Sequence, residues 1–216
     1  MPHAHPVPTK ELSRIARPEF PWLDASSLQL LAQYISELLT WNQKINLIGK
    51  QDWASAYQFL IKDSLHLARL LTRLDLPAHP LTLDLGAGAG LPGIPLRIVW
   101  PAGDYVLVEP RQKRALFLHH AVRFSSLLRT RVCMCRAEEL REQPADLIIS
   151  RAMCPWPELL DLAGPLLSSQ GRVVVFSNHV WDPTKNCLDE WKLSLEESYP
   201  TGDNGYRYFW VFSPIT

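Results

Sequence analysis

The order of residue types predicts an α/β fold: a doubly wound, Rossmann-like parallel sheet that ends in an antiparallel hairpin and carries an N-terminal helical cap. Two observations carry that reading. The run Leu81-Thr82-Leu83-Asp84-Leu85 has a buried-strand pattern and breaks directly into Gly86-Ala87-Gly88-Ala89-Gly90, after which Pro92 or Pro95 suits the first turn of a helix. Beyond it, apolar strand runs alternate with helix-periodic stretches, and the last two runs are separated only by a turn around Gly202-Asp203-Asn204-Gly205.

Five prolines among polar residues make 1–21 a loose lead-in, with His3 and His5 on a mobile tail. Residues 22–75 form the cap. Ser26-x-x-Gln29 matches a capping box, and Leu28, Leu31, Ile35, Leu38 and Leu39 recur behind it at helical spacing. A second helix starts near Asp52 and lines Ala56, Phe59, Leu60, Leu67, Leu70 and Leu71 along one face. Between the two, Trp41-Asn42-Gln43-Lys44-Ile45-Asn46-Leu47 reads as a packed loop with polar anchors.

The sheet unit, 76–216, continues with a strand over Tyr105-Val106-Leu107-Val108 that ends in Glu109. A helix from Gln112 to about Leu128 turns Ala115, Leu118, Val122 and Phe124 inward. Strands follow at Arg131–Cys135 and Asp146–Ser150, then a helix from Trp156 to Leu167 that stops around Gly164-Pro165. Gly171–Phe176 is the most apolar strand and is expected at the centre of the sheet. Leu193–Tyr199 and Tyr206–Phe212 make the closing hairpin.

Composition narrows the class. With 216 residues, 47% hydrophobic and 10% aromatic, the chain is a globular domain with a small extension. Lys+Arg 22 balances Asp+Glu 22, so no bulk field draws nucleic acid, and any RNA contact must come from a local patch. No apolar run approaches the length of a membrane span, and Met1-Pro2-His3-Ala4-His5-Pro6 lacks an export-signal pattern, so a cytoplasmic protein with no membrane partner is expected. Cys133, Cys135, Cys154 and Cys187 contain no C-x-x-C pair, which fits reduced thiols and no metal site.

The glycine run carries the chemistry. Gly86, Gly88 and Gly90 remove side chains where a turn must press against a ligand. Asp84 at the strand's end would repel a pyrophosphate but suits a cation, and Glu109 stands where an acid meets a ribose hydroxyl pair. An adenine nucleoside with a cationic tail, S-adenosylmethionine, satisfies both acids. Gly88-x-Gly90-x-x-Gly93 also fits the dinucleotide fingerprint, which keeps a nicotinamide-dependent dehydrogenase in view. Asp84 and the short chain argue against it. A terminal antiparallel hairpin is also how S-adenosylmethionine-dependent methyltransferases complete their sheet.

From Trp41 to about Phe212 the chain resembles the bacterial 16S ribosomal RNA guanine-N7 methyltransferases, the glucose-inhibited division protein B family. The resemblance runs through Trp41-Asn42-x-x-x-Asn46-Leu47, Asp63-Ser64, Leu83 to Leu96, Lys113-Arg114-x-x-Phe117-Leu118, Ala137-Glu138-Glu139 and Ile149-Ser150-Arg151-Ala152. It is most specific where the glycines continue as Leu91-Pro92-Gly93-Ile94-Pro95. It implies cofactor contacts at Gly86, Leu91, Ala137, Glu138 and Arg151, and 16S RNA or the small ribosomal subunit as partner. The chain departs from the family pattern at Leu60, where the family usually has His, at Ile48 in place of Thr, and at Ser177-Asn178 in place of Lys-Gly.

Guanine N7 has a lone pair and no proton, so no acid or base is required and no catalytic residue is nominated. The base must be splayed out of A-form RNA, whose deep major groove hides N7. Phosphate contacts are expected from Arg97, Arg111, Lys113, Arg114, Arg136, Arg151 and Arg207, with Arg123 a further cation. Surface charge is the ordinary explanation for each except Arg151, which follows a strand's carboxyl end. Trp100, Trp156, Trp181 and Trp210 are assigned to packing, His119-His120 to a helix surface and Cys154 to an inert thiol. A same-fold methyltransferase for another substrate and a non-catalytic RNA-binding relative are the remaining alternatives. A monomer is expected.

Overall fold

The computed structural model describes residues 6–142, 144–184, 188, 190–201 and 205–215. A seven-stranded sheet in the order β3-β2-β1-β4-β5-β7-β6 forms its centre. The strands are β1 (Leu81–Leu85), β2 (Asp104–Val108), β3 (Thr130–Cys133), β4 (Ala145–Ser150), β5 (Leu167–Ser177), β6 (Trp191–Pro200) and β7 (Tyr206–Pro214). The first five are parallel, and β7 runs antiparallel between β5 and β6. The chain moves outward from β1 to β3 and then returns to place β4 on β1's other side, which opens a crevice at the strands' carboxyl ends.

The apolar strand at Gly171–Phe176 is interior, as part of the longer β5, but β4 holds the middle position. The hairpin strands fall where expected; the turn residues 202–204 lie outside the described residues, as do His3, His5 and Cys187.

Helices cover the sheet unequally. α2 (Ala25–Ile45), α4 (Lys62–Leu71), α5 (Gly93–Val99) and α6 (Gln112–Phe124) share one apolar core, whereas α7 (Trp156–Ala163) packs into the other. The described part of the lead-in, from residue 6 on, is not loose. Pro8 caps α1 (Thr9–Ala16), and Leu12, Ala16 and Phe20 are buried in the larger core. Its prolines flank the helix, so they mark its ends.

The first cap helix is capped by Asp24, whose carboxylate accepts from the Ser27 amide at 2.6 Å, in place of the expected Ser26. It also runs through most of the stretch read as a loop. It stops at Asn46, which takes a left-handed conformation (φ 49°, ψ 62°). The polar anchor is Asn42, whose side-chain oxygen accepts from the Ile48 amide at 2.8 Å.

Asp52 caps α3 (Trp53–Ala56) by accepting from the Ser55 amide, and α3 passes through a π-helical turn, Tyr57–Ile61, into α4. No described helix is long and apolar enough to cross a membrane.

Candidate active site

The glycine loop follows β1 and is folded back by its own backbone. The Gly86 and Ala87 amides both donate to the Val108 carbonyl at 3.0 Å, and Gly86, Gly88 and Gly90 all hold positive φ. At Gly86 (φ 72°) a Cβ would also lie 2.7 Å from Met153, so only glycine permits the turn there. The cap braces the loop from the other side: Tyr34, fully buried in α2, donates its hydroxyl to the Ala89 carbonyl at 2.6 Å.

The loop forms one wall of a cleft of about 830 Å³ at the carboxyl ends of β1, β2, β3 and β4. Gly86, Gly88, Leu91, Glu109, Ala137, Glu138 and Arg151 line it, together with Leu47, Ile48 and Met153, which sequence reasoning did not assign. A volume of this size suits a nucleoside-sized ligand.

Glu109 is 3% exposed, with Oε2 accepting from the Gly88 amide at 3.0 Å and Oε1 from the Arg111 amide at 2.9 Å. Each carboxylate oxygen retains a further lone pair, so the side chain can hold the loop and still accept from a ligand hydroxyl.

Two expected cofactor residues do not reach the cleft. Gly90 packs against Ile94 and Leu118 beneath the loop. Asp84 alternates with Leu83 and Leu85 along β1, so it points to the opposite face of the sheet, toward α5. There it is 1% exposed, its Oδ2 accepts the Tyr105 hydroxyl at 3.3 Å, and the α5 backbone at Gly93 lies against it. Its Oδ1 is an orphan among the described residues. Burial raises its pKa to about 7, against the lowering effects of Tyr105 and Arg151. The acid read as a partner for a cationic tail is therefore a brace under the loop.

The third and fourth loops complete the cleft. Ala137–Glu139 is a single 3₁₀ turn closed by the Glu139 carboxylate on the Arg136 amide at 3.0 Å, which leaves Ala137 buried and Glu138 exposed on the cleft wall. Arg151 leaves the end of β4 and donates to Asp63 of α4 at 3.2 Å. Cys154 also faces the cleft, where burial and nearby Glu158 and Glu138 raise its pKa, a direction that disfavours the thiolate.

The expected RNA contacts divide. Arg111, Arg114 and Arg136 line the cleft with Arg151, and Lys113 is exposed on α6. Arg207 also donates to Asp63. Arg97 is no RNA ligand. It is 3% exposed at the amino ends of β2 and β3, donating to the carbonyls of Trp100, Ala102, Gly103 and Leu128 and to the Thr130 hydroxyl.

His120 contacts Glu37 at 2.8 Å and ties α6 to α2. Trp156, Trp181 and Trp210 pack edge to face. Beside them a second hollow of about 540 Å³, lined by Trp156, Phe176, Ser177 and His179, shares Ala152 and Cys154 with the first. No cluster of three or more His, Cys, Asp or Glu side chains suited to a metal occurs among the described residues.

A family model described as GidB, rRNA small subunit methyltransferase G, matches residues 27–192. The chain belongs to this family. It is 44% identical over 212 residues to the ribosomal RNA small subunit methyltransferase G of Nitratidesulfovibrio vulgaris, covering 97% of this chain and 95% of that one. With the Lawsonia intracellularis protein of the same name it shares 39% over 215 residues, covering 98% and 97%.

Among solved structures, a putative methyltransferase, yhhF, from Escherichia coli superposes with TM-score 0.55 at 15% identity, covering 79% of this chain and 90% of that one. A ribosomal protein L11 methylase from Lactobacillus delbrueckii gives 0.52 at 14%, covering 71% and 79%. These two share the fold. Family membership makes the chain a methyltransferase whose methyl donor is S-adenosylmethionine.

Proposed function

We propose that the chain transfers a methyl group from S-adenosylmethionine to N7 of a guanine in 16S ribosomal RNA, with the cofactor in the cleft at the sheet's switch point. The cofactor supplies an electrophilic methyl on a sulfonium. The observation that carries the reading is Glu109, buried on the cleft wall and tied to the glycine loop with acceptor capacity to spare for a ribose hydroxyl pair. Gly86, Gly88 and Leu91 bring backbone against the ligand, and Ala137 and Glu138 stand at the adenine end. Arg151 holds positive charge beside the carboxylate end.

N7 needs no deprotonation, so the protein's contribution is placement, which is worth as much as about 7–11 kcal/mol when two reacting atoms are aligned. The second hollow opens beside the cleft through Ala152 and Cys154 and is where we seat the splayed guanine, against Trp156. Arg111, Lys113, Arg114, Arg136, Arg151 and Arg207 then meet phosphates on the assembled small subunit or its RNA, which supplies the local basic patch that a chain of zero net charge requires.

Nucleoside mass spectrometry of 16S RNA from cells lacking the protein tests this. Loss of one 7-methylguanosine is the expected result, and an unchanged modification profile would refute it.

A further inference from the structure

Arg151 on the cleft wall and Arg207 on β7 share one buried carboxylate. Asp63 is 2% exposed, and its Oδ2 accepts from Nη1 of Arg151 at 3.2 Å and from Nη1 of Arg207, while Oδ1 accepts the Tyr199 hydroxyl at 2.7 Å. The π-helical turn supplies further acceptors. Phe59 O takes Nη1 of Arg207 at 3.0 Å, and Leu60 O lies 3.5 Å from Nη1 of Arg151. Tyr199 is itself fixed by stacking on His66, with ring centroids 3.9 Å apart.

Both guanidiniums stay partly open, with side chains 19% and 27% exposed. Nε and Nη2 of each are unpaired among the described residues, and two cations against one anion leave a net positive charge.

We propose that Asp63 is a positioning residue that holds Arg151 and Arg207 as a paired receptor for one phosphate of the RNA strand beside the target guanine. This rests on the reading of the protein as an RNA methyltransferase. A guanidinium offers a planar, two-pronged donor set that matches phosphate, and anchoring Nη1 leaves Nε and Nη2 with donors to spare. Asp63 does not meet the RNA, because it is sealed behind the two side chains it holds.

The charge logic gives a sharp test. Asp63→Asn deletes a negative charge, so bulk electrostatics alone would tighten RNA binding. Loss of positioning instead weakens it, by about tenfold or more.

Dissociation constants for undermethylated small subunits are measured for the wild type, Asp63→Asn, Arg207→Ala and the double variant. S-adenosylhomocysteine binding to each is followed by calorimetry. Weaker subunit binding by Asp63→Asn, with a double-variant loss smaller than the product of the single losses, supports the proposal. Unchanged or tighter binding, or losses that multiply, overturns it.

Should Asp63→Asn fail to fold, Arg207→Ala decides: the same tenfold-scale loss with intact S-adenosylhomocysteine binding supports the paired receptor, and unchanged subunit binding removes it. A wild type that itself binds no subunit would fault the RNA methyltransferase reading, and the proposal would fall with it.

Discussion

Glu109 Oε2 accepts the Gly88 amide at 3.0 Å, and this one bond joins the loop after β1 to the loop after β2. Both loops line the cleft, so the carboxylate shapes the site in which we propose that the cofactor sits. Glu109→Ala is expected to weaken S-adenosylhomocysteine binding by about 10- to 100-fold, the worth of hydrogen bonds to a charged group. Calorimetry reads this directly. Unaltered affinity would detach Glu109 from the site.

Stability should carry two opposed pH dependences. Burial holds Asp84 protonated up to about 7 in the folded state, whereas the unfolded carboxyl loses its proton near 3.8. Its contribution to stability therefore falls as pH rises between those values, by at most ~1.4 kcal/mol per pH unit. His66 acts in reverse. Burial keeps its pKa at about 4 against 6.5 unfolded, so its contribution falls as pH drops through that window. In Asp84→Asn the His66 slope stands alone. Urea unfolding at pH 5 and pH 6.5 should show the variant losing more stability on acidification than the wild type, and equal losses would contradict the assignment.

Gly93 packs against Asp84 Oδ2 and Leu107, with Tyr105 3.3 Å from where its Cβ would lie. Gly93→Ala drives a methyl into that contact and should cost about 1–3 kcal/mol. A thermal melt several degrees lower is the expected readout. An unshifted melt would mean that α5 moves away freely.

Arg97 makes a clean contrast with the cleft arginines. Arg97→Met strips donors from the buried carbonyls before β2 and β3 and should destabilise the fold by about 3 kcal/mol. The folded fraction should bind small subunits as the wild type does. Weakened binding at unchanged stability would return Arg97 to the RNA surface.

The legible parts of the molecule are those written locally. β1, its glycines and Glu109 at the end of β2 lie within a short stretch, and period-two apolarity marks the strands. Asp84 was readable too, because its place between Leu83 and Leu85 turns it to the other face of the sheet; charge type alone hides this.

Other features depend on distance along the chain. Asp63 and Arg207 are 144 residues apart, and no local pattern announces that pairing. Arg97 looks like any helix-surface cation until the loops before β2 and β3 close over it. α1 is masked by the prolines that bound it, since composition registers their number and not their placement.

The most direct measurement incubates purified protein with methyl-labelled S-adenosylmethionine and undermethylated small subunits, then digests the RNA to nucleosides. The label should appear in 7-methylguanosine from 16S RNA and should fall with Glu109→Ala when the labelled cofactor is limiting. Label in a different nucleoside, or none in the RNA, would contradict the account.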